Sequence, residues 1–318
     1  MKSLSPKVAV IGAGNVGSTF AFSLMISGLA REIVLIDRNK NRAEGECMDL
    51  SHGLNFAHPT RIYSSGFDKC KDADVVVITA GINQKPGHTR IDLVEANAEL
   101  FKEIIPKITK YAPDSILLVV SNPVDILTYV TLKVSGFPPS KVIGSGTVLD
   151  SSRFRYLLSE HCGVDPRNVH AYIVGEHGDT ELPLWSSANI GGMTLDKYCL
   201  RCKKCNQCNR EEELSNIFEE VKKAAYKIIE AKGSTYYAVS LALVKIVGTI
   251  LRDENSILPV STLINDYDGI NDICLSIPSV VNKSGVDRFL RLKMSTQEQE
   301  QFKNSANTLK EIIRKLKL

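Results

Sequence analysis

The sequence predicts an α/β protein in which a doubly wound parallel sheet is followed by an α+β substrate domain. Short apolar runs, rich in valine and isoleucine, alternate with amphipathic stretches through the first half of the chain. Such runs are typical of strands that a parallel sheet buries on both faces. They end in glycine or small polar residues, at the edge where such sheets bind ligands. After Asp150 this alternation is lost and helical patterns dominate, which indicates the second region.

The first strand and the turn after it carry the clearest ligand motif. Val8–Ile11 is a buried strand pattern, and Gly12, Gly14 and Gly17 follow it as G-x-G-x-x-G before a helical pattern over 18–27. The first glycine permits a tight turn, the second lets a pyrophosphate approach the backbone, and the third lets the helix pack closely on the strand. The helix N-terminus then offers N–H groups to the phosphates. The motif predicts dinucleotide binding.

The second strand predicts which dinucleotide binds. Ile33–Ile36 ends in Asp37, twenty residues after Gly17. A carboxylate there accepts hydrogen bonds from ribose hydroxyls and repels a 2′-phosphate. We therefore expect NAD and not NADP, although the neighbouring Arg38 could pair with a phosphate and weakens that preference.

The remaining elements follow from periodicity and turn residues. In the first half we expect strands at 61–63, 74–79, 116–120 and 141–143, and helices at 40–52, 93–111 and 125–134. In the second half we expect helices at 150–161, 211–232, 236–252 and from 295, with strands at 170–174, 257–263 and 272–278. The polar stretch 82–90 contains Pro86-Gly87 and is predicted to be a loop long enough to move as a lid.

Composition bounds the class of protein. A chain of 318 residues suits two domains, which we place at 1–147 and 148–318. A net charge of +3 is too small to indicate nucleic-acid or membrane partners. No apolar run reaches the roughly 20 residues of a membrane span, and MKSLSPK leads directly into a strand without a signal-peptide pattern. We expect a cytoplasmic protein whose eight cysteines are reduced.

Three short motifs carry a family resemblance. They are Ser121–Asp125 (SNPVD), Asp150–Arg153 (DSSR) and Val174–Asp179 (VGEHGD), the last followed by TELP. In combination they resemble the active-site motifs of the L-lactate and malate dehydrogenases, and the resemblance extends over essentially the whole chain. It implies a Rossmann-type sheet and reversible hydride transfer between NADH and a 2-oxo acid.

The resemblance also implies catalytic roles. His177 would be the general acid/base, Asp150 would orient its ring, Arg153 would bind the substrate carboxylate, and Arg90 would polarise the substrate carbonyl. Judged from the residues alone, a histidine in a glycine-rich turn is more often structural. Likewise, Asp150 could be a helix N-cap and Arg153 a surface ion pair.

Further contacts are implied around this centre. Asn122 would hold the carbonyl oxygen or the nicotinamide amide, and Thr235 would line the substrate side unless it is only a helix cap. The implied cofactor contacts are Gly12, Gly14, Val16, Gly17, Asp37, Arg42, Gly81, Asn83, Ser121 and Asn122.

Gln84 on the lid predicts the substrate. In the family, the matching position tends to be arginine in malate dehydrogenases, where it pairs with the second carboxylate of oxaloacetate. A neutral Gln84 leaves that carboxylate without a cation in a closed site, whereas the methyl group of pyruvate needs none. The sequence therefore favours an L-lactate dehydrogenase acting on pyruvate. A malate or other 2-hydroxy acid dehydrogenase is the alternative.

Two further residues match an effector site of bacterial family members. Arg155 and His170 lie where those proteins bind fructose 1,6-bisphosphate between subunits, which implies allosteric activation and a homotetramer. On the residues alone, an exposed helical arginine and a histidine at the start of a strand are equally good interpretations.

One cysteine-rich stretch fits none of this chemistry. Cys199, Cys202, Cys205 and Cys208 are three residues apart. Along a helix the first and last would be ~13 Å apart, too far to share one metal ion. We favour a solvent-exposed segment with free thiols and expect no metal. The cluster also suggests a different class, a non-catalytic NAD(H)-binding redox sensor, against which the acid/base residues argue.

Overall fold

The computed structural model describes residues 5–82, 90–199 and 210–316. The strands are β1 (Lys7–Ile11), β2 (Glu32–Ile36), β3 (Arg61–Ser64), β4 (Val75–Ile78), β5 (Ile116–Val119), β6 (Val142–Gly144), β7 (Val169–His170), β8 (Ile173–Val174), β9 (Leu182–Pro183), β10 (Asn189–Ile190), β11 (Met193–Thr194), β12 (Ser256–Ile264), β13 (Ile273–Asn282) and β14 (Gly285–Phe289). The helices are α1 (Asn15–Ser27), α2 (Lys40–His52), α3 (Arg90–Tyr111), α4 (Val124–Ser135), α5 (Val148–Cys162), α6 (Leu195–Cys199), α7 (Arg210–Lys232), α8 (Tyr237–Leu251) and α9 (Thr296–Lys315).

The central sheet has the order β14-β13-β12-β6-β5-β4-β1-β2-β3. Its six strands from β6 to β3 are parallel. From β1 the chain turns first towards β2 and later crosses to β4 on the other side, so a crevice opens beyond the carboxyl ends of β1 and β4. The predicted doubly wound sheet is confirmed.

The sheet continues beyond the predicted strands. β12 joins β6 in antiparallel orientation through a single residue pair, Ser261 with Gly144. The predicted strands at 257–263 and 272–278 are parts of a hairpin whose strands have nine and ten residues. β14 was not predicted, because two of its five residues, Asp287 and Arg288, are charged and exposed. The strand expected at 170–174 divides into β7 and β8, which belong to different sheets.

Helices cover both faces of the sheet. One face packs against apolar residues of α3, α4 and α9, such as Phe101, Leu127 and Phe302. The other packs against α1 and α8, through Phe20 and Leu243 among others. Burial on both faces explains why β4 and β5 are continuous apolar runs, whereas β3 at the edge of the sheet carries the exposed Arg61.

Cys199 does not lie where the sequence predicted. Cys199 was expected in a solvent-exposed segment, but it is buried in a cluster with Phe154 and Leu158, because α6 packs against β10 and β11. That expectation was wrong for Cys199, and the other three cysteines of the stretch lie outside the described residues.

Across the described ranges, no helix is both long and apolar enough to cross a membrane.

Candidate active site

The glycine turn between β1 and α1 fits a bound dinucleotide. Gly12 has a φ of +106°, and a Cβ atom at Gly17 would lie 1.9 Å from the Gly12 carbonyl oxygen, so a side chain is excluded at both positions by the turn itself. At Gly14 a Cβ atom would meet nothing within 4 Å. The space beside Gly14 therefore remains open at the N-terminus of α1, where a phosphate can approach the backbone.

Asp37 stands at the end of β2 beside this turn. Its Oδ2 accepts a hydrogen bond of 2.7 Å from the backbone N–H of Ala13, and its Oδ1 accepts one of 2.8 Å from that of Asn39. These bonds fix the carboxylate against the glycine turn. Arg42, on the first turn of α2, lies nearby, with Nη2 3.4 Å from Oδ1 of Asn15. Val16 is partly buried on α1 and packs against the core.

The opposite wall of the crevice is formed at the ends of β4 and β5. Ser121 Oγ donates to the carbonyl of Ala80 at 2.6 Å, which ties the two strand ends together beside Gly81. Asn122 follows as an exposed residue, joined to Pro123 by a cis peptide bond. Asn83 and Gln84 lie outside the described residues. Arg90 opens α3, and the structure does not describe its side chain.

The catalytic pair predicted from the sequence is in contact. His177 Nδ1 lies 2.5 Å from Asp150 Oδ2. Arg153, one turn further along α5, places Nη1 2.8 Å from the other oxygen, Oδ1. Asp150 is buried, whereas the His177 side chain is 26% exposed and can therefore be reached from the cleft. The carboxylate fixes the ring by its Nδ1, so Nε2 remains the nitrogen that can exchange a proton with a ligand.

The charges in this centre explain its proton affinity. Burial lowers the pKa of the His177 ring, but the Asp150 carboxylate raises it by more, to about 9, and Glu181 and Asp125 add to the rise. Burial would raise the pKa of Asp150, yet the charges of His177 and Arg153 outweigh it and lower that pKa. The buried aspartate thus stays ionised and the histidine holds its proton at neutral pH.

We call the turn that carries His177, residues 175–181, the catalytic turn. Asp125 and Ser305 anchor it by hydrogen bonds to its backbone, and neither residue was assigned a role from the sequence. Asp125 is buried on α4, and its Oδ2 accepts a 2.7 Å hydrogen bond from the backbone N–H of His177. Ser305 Oγ on α9 accepts one of 2.8 Å from the N–H of Glu176. Gly175 has a φ of +89°, and a Cβ atom there would lie 2.8 Å from Ser305 Oγ. Asp125 is part of the SNPVD motif, which was the available signal, whereas nothing in the sequence marks Ser305.

The comparisons with known proteins decide the family. Residues 6–144 match the family description "lactate/malate dehydrogenase, NAD binding domain", and residues 147–317 match "lactate/malate dehydrogenase, alpha/beta C-terminal domain". The chain belongs to the lactate/malate dehydrogenase family. It is an NAD-dependent oxidoreductase, and the sequence resemblance and the NAD prediction are confirmed.

Individual relatives agree with this family assignment. An L-lactate dehydrogenase of Acetivibrio thermocellus is 57% identical over 98% of this chain and 97% of its own length. A crystal structure of a minor L-lactate dehydrogenase from Enterococcus mundtii, in a ligand-bound form, matches with a TM-score of 0.95 and 40% identity over 99% of this chain and all of that one. A lactate dehydrogenase from a Medee basin deep-sea metagenome library matches with a TM-score of 0.94 and 44% identity over 98% of both chains.

Within this dehydrogenase, Thr235 is partly buried in the turn before α8. Its neighbour Ser234 accepts a 2.9 Å hydrogen bond at Oγ from Asn15 Nδ2, which follows Gly14 in the glycine turn. The segment carrying Thr235 is thereby tied directly to the cofactor turn.

Of the two predicted effector residues, Arg155 lies on α5 and His170 ends β7. Arg155 Nε donates to the carbonyl of Ala171 at 2.8 Å, and its guanidinium lies 4.9 Å from the centre of the Tyr172 ring. His170 is exposed and directly precedes Ala171 and Tyr172, the two residues that Arg155 contacts. Arg155 also lines a cavity of about 510 Å³ together with Lys245 of α8. The two predicted residues thus occupy one neighbourhood, and burial lowers the pKa of Arg155.

Proposed function

We propose that this dehydrogenase interconverts pyruvate and L-lactate, with His177 as the proton donor. The observation that supports this most directly is the 2.5 Å contact between His177 Nδ1 and the buried Asp150. Bound NADH supplies the hydride that adds to the carbonyl carbon of pyruvate. His177 Nε2–H gives its proton to the carbonyl oxygen, and Asp150 stabilises the ring while the proton is held. In the reverse direction the neutral ring takes the hydroxyl proton of lactate.

The other predicted residues complete the proposed site. Arg153 binds the substrate carboxylate; its ion pair with Asp150 uses Nη1, and a guanidinium carries five N–H donors in a fixed fork. Arg90 polarises the carbonyl as the lid closes, Asn122 holds the carbonyl oxygen or the nicotinamide amide, and Thr235 lines the substrate side. On the cofactor side, the contacts are the glycine turn with Val16, then Asp37, Arg42, Gly81, Asn83 and Ser121.

Gln84 sets the preference for pyruvate over oxaloacetate in this proposal. We expect the wild-type protein to oxidise NADH, followed by its absorbance, far faster with pyruvate than with oxaloacetate at equal concentration. Gln84→Arg should move the ratio of kcat/KM towards oxaloacetate by at least tenfold, because it adds a cation for the second carboxylate. Equal kcat/KM of the wild type for the two substrates contradicts the assignment and favours the malate alternative.

We further propose a homotetramer with a fructose 1,6-bisphosphate site at Arg155 and His170. Large apolar side chains exposed on α1 and α8 support the assembly: Phe22, Ile26, Tyr237 and Leu241 are each about half exposed or more, and the two helices pack against each other. An apolar surface of this kind is typical of a face that a second subunit covers.

The effector test is a pair of pyruvate saturation curves. We expect fructose 1,6-bisphosphate to lower the apparent KM for pyruvate several-fold in a tetramer verified by light scattering, since it stabilises one arrangement of the subunits. Arg155→Gln should remove the response. Arg167→Gln is the matched control, because Arg167 is an exposed arginine paired with Asp165. Identical wild-type curves with and without the effector contradict the proposal.

We retain the division at 1–147 and 148–318 as the proposed domains. The two family matches support it, because the first ends at residue 144 and the second begins at residue 147.

We also propose a cytoplasmic location. It is supported by Cys47, Cys70, Cys199 and Cys274, which are all free thiols, since disulfides persist in oxidising compartments.

A further inference from the structure

Glu181 is an acidic residue in the catalytic centre to which the reaction above gives no role. It lies four residues after His177 in the same turn and is only 8% exposed. One ligand-type atom each of Asp150, His177 and Glu181 lies within 4.8 Å of the other two. A glutamate is rarely buried beside another carboxylate without cations to compensate it, so its surroundings decide its charge.

The groups that face Glu181 come from three elements. Helix α5 contributes the negative Asp150 and the positive Arg153, helix α7 contributes Lys222, and the catalytic turn contributes His177. Burial raises the pKa of Glu181 to about 8, and the charge of Asp150 adds to the rise, against the opposing effect of the three cations. Asp125 faces His177 from α4 and also favours its protonated form.

The charge count of the cluster changes when Glu181 ionises. With Glu181 neutral, Asp150 alone opposes three cations, His177, Arg153 and Lys222. With Glu181 ionised, two carboxylates attract those cations, so removal of the His177 proton takes away a positive charge that both carboxylates stabilise. Two groups this close titrate as a pair, so the charge on Glu181 must raise the proton affinity of His177.

We infer that Glu181 is a positioning residue for the proton of His177: its carboxylate, held within the Asp150–His177 cluster, keeps the imidazole protonated at alkaline pH. It does not touch the reacting carbonyl. It extends pyruvate reduction, which needs the protonated ring, to higher pH, and it disfavours lactate oxidation, which needs the neutral ring. The inference rests on the proposed acid/base role of His177.

The test compares pH profiles of the full-length protein with saturating cofactor. In Glu181→Gln we expect the alkaline break in kcat/KM for pyruvate and the acidic break in kcat/KM for lactate to move together to lower pH by about one unit. Above the wild-type break this is a roughly tenfold loss of pyruvate reduction. Glu181→Asp keeps the charge and should retain most of the wild-type break. Asp179→Asn removes an exposed carboxylate from the same turn and should leave the break in place, because solvent screens it.

A second measurement does not depend on turnover. Nitrogen NMR of histidine-labelled protein follows the ring of His177, one of six histidines, with His177→Asn to assign its signal. We expect its titration midpoint to fall in Glu181→Gln and not in Asp179→Asn. Lower plateaus with unmoved breaks and an unmoved midpoint would show that Glu181 is only structural and overturn the inference. A wild type that fails to reduce pyruvate while the midpoint still shifts would instead overturn the proposed reaction and leave the role of Glu181 intact.

Discussion

The cofactor crevice and the catalytic centre are built in different ways. The crevice is specified by consecutive sequence: strand, glycine turn, helix, strand and Asp37 follow one another within 37 residues. It works largely through backbone, since Gly12 and Gly17 are defined by the absence of room for a side chain. The proposed catalytic centre is assembled from four distant segments, around Asp125, Asp150, His177 and Ser305, and in the proposed reaction it works through side-chain charges.

This difference predicts how each region fails. The glycine turn has no room for an added atom at Gly12 or Gly17 and carries little side-chain chemistry, so substitutions in it should change packing or cofactor affinity. A buried charge cluster can be altered atom by atom while the fold remains, so its defects should appear in rate, substrate affinity and pH dependence.

The largest effect is expected at His177, the proposed catalytic acid. His177→Asn should lower kcat about 10³-fold, because the proton donor is lost, while NADH affinity stays within about twofold. Stopped-flow turnover and NADH fluorescence titration measure the two quantities. A collapse of NADH affinity in this variant would mean that the two regions are not separable.

Arg153→Lys provides a contrast within the same centre. Lysine keeps the charge but loses the bidentate fork, so the KM for pyruvate should rise about 10²-fold with a smaller change in kcat. Steady-state kinetics at saturating NADH separates the two parameters. If kcat and not KM carried the loss, Arg153 would act on the reaction step and not on substrate binding.

Gly17 and Gly14, two of the three glycines of the turn, test the cofactor crevice. Gly17→Ala places a Cβ atom where the Gly12 carbonyl already lies, so the free energy of unfolding should fall by about 3 kcal/mol and NADH binding should be lost. Gly14→Ala meets open space, so it should leave the unfolding free energy within about 0.5 kcal/mol and weaken only NADH. Chemical denaturation and fluorescence titration test the pair, and equal destabilisation by both would contradict the assignment of the open space to the phosphates.

The smallest effect is a pH dependence of stability. The folded-state pKa of His177 is about 9, above the unfolded value of about 6.5, so its contribution to stability is complete below about pH 6.5 and is lost as the pH rises towards 9. The difference in unfolding free energy between wild type and His177→Asn should therefore shrink by about 1–2 kcal/mol between about pH 6 and about pH 9, less than the full shift would give, because solvent screens the partly exposed ring. Urea unfolding at both pH values checks it; a difference that grows with pH would reverse the sign of the proposed interaction.

The two regions also differ in how much of each could be predicted from the sequence. The inner parallel strands, such as β4 and β5, were predictable because they are continuous apolar runs. The contact of His177 with Asp150 was predictable because both residues lie in recognisable motifs. Asp125 lies in the SNPVD motif, but its role as an anchor is indicated only by the hydrogen bond that it accepts from the His177 backbone N–H. Ser305 and β14 gave no local signal, since their positions depend on contacts with distant segments. The roles of Gln84 and Arg90 stay predictions.

The bond between Glu176 and Ser305 spans 129 positions of chain, and it has a consequence for biosynthesis. Chains are made from the N-terminus, and the strands around the glycine turn are complete long before α9 emerges from the ribosome. A nascent chain can thus acquire its dinucleotide cradle while the turn carrying His177 still lacks its anchor. The protein would hold its coenzyme before it could use it.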